Sequence, residues 1–245
     1  MKRLFNACLV FMTILSASCT DRLDNDVTTD TLTDVTFAID VETASLTRAI
    51  SDGTGATQLM WAIFSEDGEL LVKESVINDA DALISEQGYT LSTKLTKGQT
   101  YKATFWAQNQ SCTAYAVSDD MKVTVDYNGI NNDESRDAFY ATSDVFSVNS
   151  PSIVTVTLRR PFAQVNVGAN EWDVEYAKEA GMEVKTSSAT VKAVPNCINL
   201  FDGSLEGAVD VVYTASAKPE EYLTVDVDRN GEDEVYDWMS MSYIL

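Results

Sequence analysis

Val35-Thr36-Phe37-Ala38-Ile39-Asp40-Val41 is the stretch that decides the fold. Val35, Phe37, Ile39 and Val41 recur at every second residue, with Thr36, Ala38 and Asp40 between them. Successive side chains of a strand leave on opposite faces, so this spacing makes one apolar and one polar face. The same period continues outward. Leu59, Trp61 and Ile63 run into Ser65-Glu66-Asp67-Gly68, and Leu70-Leu71-Val72 return, which is a hairpin on an Asp-Gly turn. Tyr89, Leu91, Thr93 and Leu95 turn at Lys97-Gly98 into Tyr101, Ala103, Phe105 and Ala107. Met121, Val123 and Val125 alternate, and so does Ile153 to Leu158. Pro161 has no N–H to give a ladder, so the strand should bend or lie on an edge there before Phe162 to Val167 resumes it. Further extended patterns run over Val184 to Val194, Val209 to Tyr213, Leu223 to Val227 and Val235 to Leu245.

One segment departs from period two. Asn170 can cap, Glu171 and Asp173 fall in a first turn, Trp172 and Tyr176 are four apart, and Gly181 can end the run. That predicts one short helix. Many short strands joined by turns, with a single helix, define an all-β protein built of β-sandwiches. A boundary near Gly168 is expected to divide it into an N-terminal sandwich, residues 34–168, and a shorter C-terminal one, residues 169–245. The final Trp238-Met239-Ser240-Met241-Ser242-Tyr243-Ile244-Leu245 is an alternating apolar strand. Chain ends are commonly polar and frayed, so this second sandwich reads as incomplete.

The N-terminus carries an address. Lys2 and Arg3 precede an apolar run from Ala7 to Ala17, followed by Ser18 and Cys19. The run is shorter than the roughly 20 residues that span a bilayer. Residues 1–18 therefore read as a cleaved export signal, with Cys19 placed to become a lipidated N-terminus, as in bacterial lipoproteins. Residues 19–33 are polar and acidic and read as a tether between lipid and fold.

Composition excludes several chemistries. The 245 residues include 38 Asp and Glu against 17 Lys and Arg, a formal charge of −21, and no histidine. Ser-His-Asp and Cys-His nucleophiles, His general bases and His-ligated zinc are thereby absent. Such an acidic surface repels nucleic acid and anionic headgroups, so any membrane attachment must come through acyl chains. Cys112 and Cys197 remain after Cys8 and Cys19, without a CxxC pair. A disulfide between them and two separate thiols are both open readings.

Asp226-Val227-Asp228-Arg229-Asn230-Gly231 matches the first half of a calcium loop, with Asp226, Asp228 and Asn230 as ligand candidates and Asp237 at position twelve. Its flanks are strand-like, and Asn-Gly between strands is a hairpin signal, so the turn is the favoured reading and no cofactor is expected. Trp61, Trp106, Trp172 and Trp238 could stack on sugars, but three of them lie in strand patterns, where aromatics fill cores. Paired carboxylates for glycoside hydrolysis are compatible with so many acids, yet no catalytic residue stands out. Asn131-Asn132-Asp133-Glu134 reads as a loop.

Several strings converge in order: Val35-Thr36-Phe37, Trp61 to Gly68, Phe105-Trp106-Ala107-Gln108, Asp137-Ala138-Phe139-Tyr140, Leu158-Arg159-Arg160-Pro161-Phe162-Ala163-Gln164-Val165-Asn166-Val167, and Met241-Ser242-Tyr243-Ile244-Leu245. With the export signal, the chain resembles the fimbrillin-like lipoproteins of Bacteroides-type bacteria. The resemblance implies tandem transthyretin-like β-sandwiches and a structural, adhesive role at the outer membrane or cell surface rather than an enzyme. It implies partners that are other fimbrial subunits, added strand by strand. It further implies that an arginine-specific protease cuts at Arg48-Ala49, freeing the first strand with Val35, Phe37, Ile39 and Val41, and that a neighbour's strand fills the groove. A surface glycan-binding lipoprotein is the alternative.

Overall fold

Val35, Phe37 and Ile39 are sealed from solvent, at 0–1% exposure, while Asp34 and Asp40 on the same strand face water. The alternation read from the sequence is thus the alternation in space. The structure, a computed structural model, describes residues 31–42, 55–77 and 88–245. The signal, Cys19, most of the tether, and Arg48 and Ala49 lie outside the described residues.

In chain order the strands are β1 (Leu32–Val41), β2 (Gln58–Ser65), β3 (Leu70–Ile77), β4 (Tyr89–Thr96), β5 (Gln99–Gln108), β6 (Tyr115–Val117), β7 (Lys122–Val125), β8 (Ala138–Thr142), β9 (Phe146–Val148), β10 (Ser152–Leu158) and β11 (Ala163–Ala169). Helix α1 (Glu171–Glu179) follows, then β12 (Thr186–Val194), β13 (Cys197–Asn199), β14 (Leu205–Glu206), β15 (Val209–Ala217), β16 (Tyr222–Val225) and β17 (Glu234–Ile244). β1 begins two residues before the expected start of the sandwich at residue 34, because Thr33 is buried and pairs with Leu95.

These strands form an all-β layered sandwich. One outer sheet has the order β10-β1-β4, and a central sheet has the order β3-β2-β5-β8 with β9 also on β5. Beyond it lie β14-β13-β7-β6, β11-β17-β16 and the β12-β15 pair. The central sheet is apolar on both faces. Leu59, Trp61, Ile63, Phe105 and Phe139 enter a first core with β1 and β10, while Ala62, Phe64, Trp106 and Ala138 enter a second core with Met121, Ile198, Tyr213, Trp238 and Tyr243. This explains the near-continuous apolar run Leu59 to Phe64, which a sheet covered on both sides requires.

The boundary expected near Gly168 falls inside β11. The second core draws side chains from both sides of that residue, and β7 pairs with β13 across it. Gly168 sits at a bulge where β11 slips on β17, and a Cβ there would lie 2.8 Å from the Cβ of Tyr236. No residue with a side chain fits so close an approach without movement.

Two polar devices fasten the layers. The buried Asp137 and the half-buried Arg160, both from the recurring strings above, form a two-pronged pair at 2.7 and 2.9 Å, with the guanidinium 4.8 Å from the Phe139 ring centroid. Pro161 follows directly, in the break between β10 and β11 where the chain passes from one sheet to another, as its missing N–H predicts. The second device is built by Asn131-Asn132, a loop as read from the sequence. Asn131 is 1% exposed, donates to Ser240 Oγ at 2.7 Å and accepts from Ser242 Oγ at 2.7 Å. Asn132, in the left-handed region at φ 57°, accepts from the Met241 amide at 2.7 Å and donates to the Ala217 carbonyl at 2.8 Å. The segment is a clasp between β15 and β17.

Candidate functional site

β1 lies between two strands that come from much later in the chain. It pairs in parallel with β10, Val35 to Val41 against Ser152 to Leu158, and antiparallel with β4, Leu32 to Ile39 against Thr96 to Tyr89. Both of its edges are therefore used. Beyond its last residue, the Glu42 amide donates to the Leu158 carbonyl at 2.8 Å; before its first, the Lys97 amide donates to the Thr31 carbonyl at 2.8 Å. The inward face carries Val35, Phe37 and Ile39, with Val41 half-buried at the end. Phe37 meets Phe105 edge-on at 5.3 Å and Phe146 at 5.8 Å between centroids. On the outer face, Thr36 bonds Ser92 at 3.0 Å and Asp34 pairs with Lys94 at 3.1 Å, both in contact with water.

The attachment is thus a backbone ladder on two sides plus an apolar row in sockets. Those are the two components of recognition by strand addition. Exposed ion pairs such as Asp34–Lys94 add at most about 1 kcal/mol. Sealing each large apolar side chain is worth roughly 1.5–3 kcal/mol, so the row dominates.

The other candidates are placed as follows. Cys112 is buried and Cys197 half-buried, and both are free thiols rather than a disulfide. Asp226, Asp228 and Asn230 lie in the turn between β16 and β17, a hairpin with no helical flank. Asp226 accepts from the Asn230 and Gly231 amides at 3.0 and 2.8 Å, and Asp228 accepts from Asn230 as well. Carboxylate oxygens of Asp226, Asp228 and Glu234 converge within 4.8 Å. Asp237, the expected twelfth position, instead lies 3.5 Å from Lys218. Trp61, Trp106 and Trp238 are core residues, whereas Trp172 is 68% exposed on α1 beside the equally open Tyr176. The helix cap is as read: Asn170 accepts from the Trp172 amide at 3.0 Å.

Buried tyrosines are the clearest electrostatic feature of the second core. Burial pushes the Tyr213 hydroxyl up to about 12. It raises those of Tyr115 and Tyr243 as well. Tyr115 donates to the Arg136 carbonyl and Tyr213 to the Tyr243 carbonyl, so all this serves packing. Among the described residues no helix is long and apolar enough to cross a membrane.

An all-β sandwich whose N-terminal strand is an insert between later strands is the class of protein that the geometry defines. Solved structures align with this fold. A candidate polysaccharide-binding protein from Bacteroides thetaiotaomicron aligns with TM-score 0.53 at 12% identity, over 86% of this chain and 71% of that one. The fimbrial anchor protein Mfa2 from Porphyromonas gingivalis aligns with TM-score 0.47 at 13% identity, over 87% and 72%. A fimbrilin from the same organism aligns with TM-score 0.45 at 14% identity, over 87% and 65%. The all-β sandwich expected from the sequence is the fold found. By sequence, the chain belongs to the family described as a family of unknown function, DUF6562, which matches residues 27–245. No curated protein matches it.

Proposed function

We propose that this chain is a fimbrial subunit or accessory protein, exported as a lipoprotein through Cys19 and assembled at the outer surface by strand exchange. One observation carries the reading: β1 is an insert with an apolar row, held between β10 and β4, which are close to each other only through it. A single cut in the 43–54 connection, at Arg48-Ala49, would convert it from a tethered strand into a bound peptide. Its departure leaves two facing edges and the sockets of Val35, Phe37 and Ile39, which a strand from a neighbouring subunit can fill. The role is structural and adhesive, with no catalytic step.

The test is limited digestion with an arginine-specific protease. Competing sites are few. Arg136 is buried, Arg160 is ion-paired ahead of Pro161, and Arg159 is bonded by its own backbone to Tyr140. Arg22 precedes β1, so a cut there leaves the 43–54 connection intact and does not count; Arg229, in the exposed β16–β17 turn, is the main rival. Mass spectrometry is expected to show the first cut after Arg48. The nicked protein, stripped of its strand in mild denaturant, should then take up a synthetic peptide of residues 32–41. First cleavage elsewhere, or a stripped body that ignores the peptide, would overturn the proposal.

A further inference from the structure

On the side of the sandwich away from β4, the outer edge of β10 and the end of β8 run antiparallel and are fastened at one point only. Tyr140 and Arg159 exchange two backbone hydrogen bonds at 2.8 and 2.9 Å. Past that rivet the two walls part. The cleft between them holds about 590 Å3, bounded by Tyr140 to Val145, by Thr155 to Arg159, and at its base by Phe201 to Gly203 with Lys102. Small-molecule sites commonly enclose about 300–1,000 Å3.

The chemistry of the walls points to the ligand. Some polar groups there are already engaged. Lys102 donates to the Phe201 carbonyl at 2.6 Å and covers the Phe201 ring, Thr142 donates to the Leu200 carbonyl, and Ser204 donates to Asp202. Others are not. Thr155, Thr157, Asp144 and Arg159 are exposed on the walls, and none has a side-chain partner among the described residues. Eight of the described cations are ion-paired; Arg159 is one of five that are not, with Lys97, Lys102, Lys178 and Arg229, and of these only Arg159 and Lys102 line the cleft, where Lys102 is already engaged. The cleft thus offers two hydroxyls, a free carboxylate, a free guanidinium and the aromatic ring of Tyr140. A segment added as a strand would want alternating apolar sockets. A saccharide, whose hydroxyls both donate and accept around apolar C–H faces, fits mixed hydroxyl, carboxylate, guanidinium and aromatic walls better.

We propose that this cleft is a saccharide subsite, with Arg159 and Asp144 gripping ring hydroxyls or a sugar carboxylate and Tyr140 stacking on a ring face. It is independent of strand exchange, since β1 lies on the opposite edge of β10. The test is calorimetric and NMR titration of the intact exported chain with lactose, N,N′-diacetylchitobiose, maltotriose and 3′-sialyllactose. At least one sugar is expected to bind. Arg159→Ala and Asp144→Asn should each weaken it at least tenfold with unchanged circular dichroism, while Trp172→Ala leaves it intact. Preference for sialyllactose over lactose assigns Arg159 to a carboxylate; equal binding assigns it to hydroxyls. No binding across the four sugars, retention in Arg159→Ala, loss in Trp172→Ala, or displacement of the sugar by the residue 32–41 peptide would overturn the assignment.

Discussion

Phe37→Ala tests whether β1 is sealed by its apolar row. The wild-type ring is 0% exposed and is gripped by Phe105 and Phe146. Truncating a sealed phenylalanine removes its transfer energy and leaves a cavity, together about 3–5 kcal/mol. Two edge-on aromatic contacts go with it, so the upper part of that range applies. A domain stable by about 5–15 kcal/mol would lose a large fraction of its margin. With a urea dependence near 2–3 kcal/mol per molar, the midpoint should fall by about 1–2 M. The first core holds Trp61, so tryptophan emission during urea unfolding reads the change. Thr36→Ala, one residue away on the wet face, is the control and should cost no more than about 1 kcal/mol. If Phe37→Ala behaved like Thr36→Ala, the row would not be what holds the strand, and the strand-exchange reading would lose its energetic basis.

Three further outcomes are expected. Asp137→Asn should cost about 1–3 kcal/mol by breaking the two-pronged, charge-assisted pair with the half-buried Arg160, while the paired change to Asn and Met at 137 and 160 should recover part of it; thermal melts of single and double variants decide. Gly168→Ala should destabilise by about 1–3 kcal/mol in the same melts, because its methyl would meet Tyr236 at 2.8 Å. Alkaline stability should be flat below pH 10 and fall as pH rises from 10 through about 12. The folded state keeps the Tyr213 proton above the ordinary phenol value near 10, so its contribution is complete below that value and is lost as the hydroxyl titrates in the fold, at about 1.4 kcal/mol per unit of separation. Absorbance at 295 nm should show these tyrosines ionising in step with unfolding, and early ionisation in an intact fold would contradict their burial.

The long strands were legible because one face of each is buried and the period is strict. β1, β4, β5, β10, β12, β15 and β17 all fall where alternation puts them. The helix was legible from its cap, since Asn170 does locally what the sequence implies. The short strands were not. β6, β9, β13 and β14 have two or three residues, too few to show a period, and pair only because a distant strand waits for them. The Asn131–Asn132 clasp was hidden for another reason. Its burial depends on Ser187, Ser216, Ser240 and Ser242, whose hydroxyls lie at least 55 positions away and give no local signal. The cleft beside β10 shares that invisibility, because its walls belong to segments that meet only at Tyr140 and Arg159. β1 is the opposite case, with its inward row readable residue by residue, while its position between β4 and β10 was not.

Strand exchange makes a demand that most sandwiches fail: the body must survive while its strand is missing. The layering answers it. Removing β1 uncovers Trp61, Ile63 and Phe105 on one face of the central sheet. The same strands stay anchored on their other face, where Ala62, Phe64 and Trp106 are packed against Met121, Ile198 and Tyr213. Trp106 also holds Gln108 through its indole N–H at 2.7 Å. β2 and β5 therefore keep half of their burial when the outer sheet opens, and the ladder between them, Gln58 to Ser65 against Gln108 to Tyr101, is untouched. What loosens is the outer pair, β4 and β10, which lose their common neighbour. Hydrogen exchange on the stripped protein should accordingly rise in Tyr89–Thr96 and Ser152–Leu158 and stay slow in Gln99–Gln108. Uniformly fast exchange would mean that the second core cannot hold the central sheet alone, and a subunit of this design could not wait for its partner.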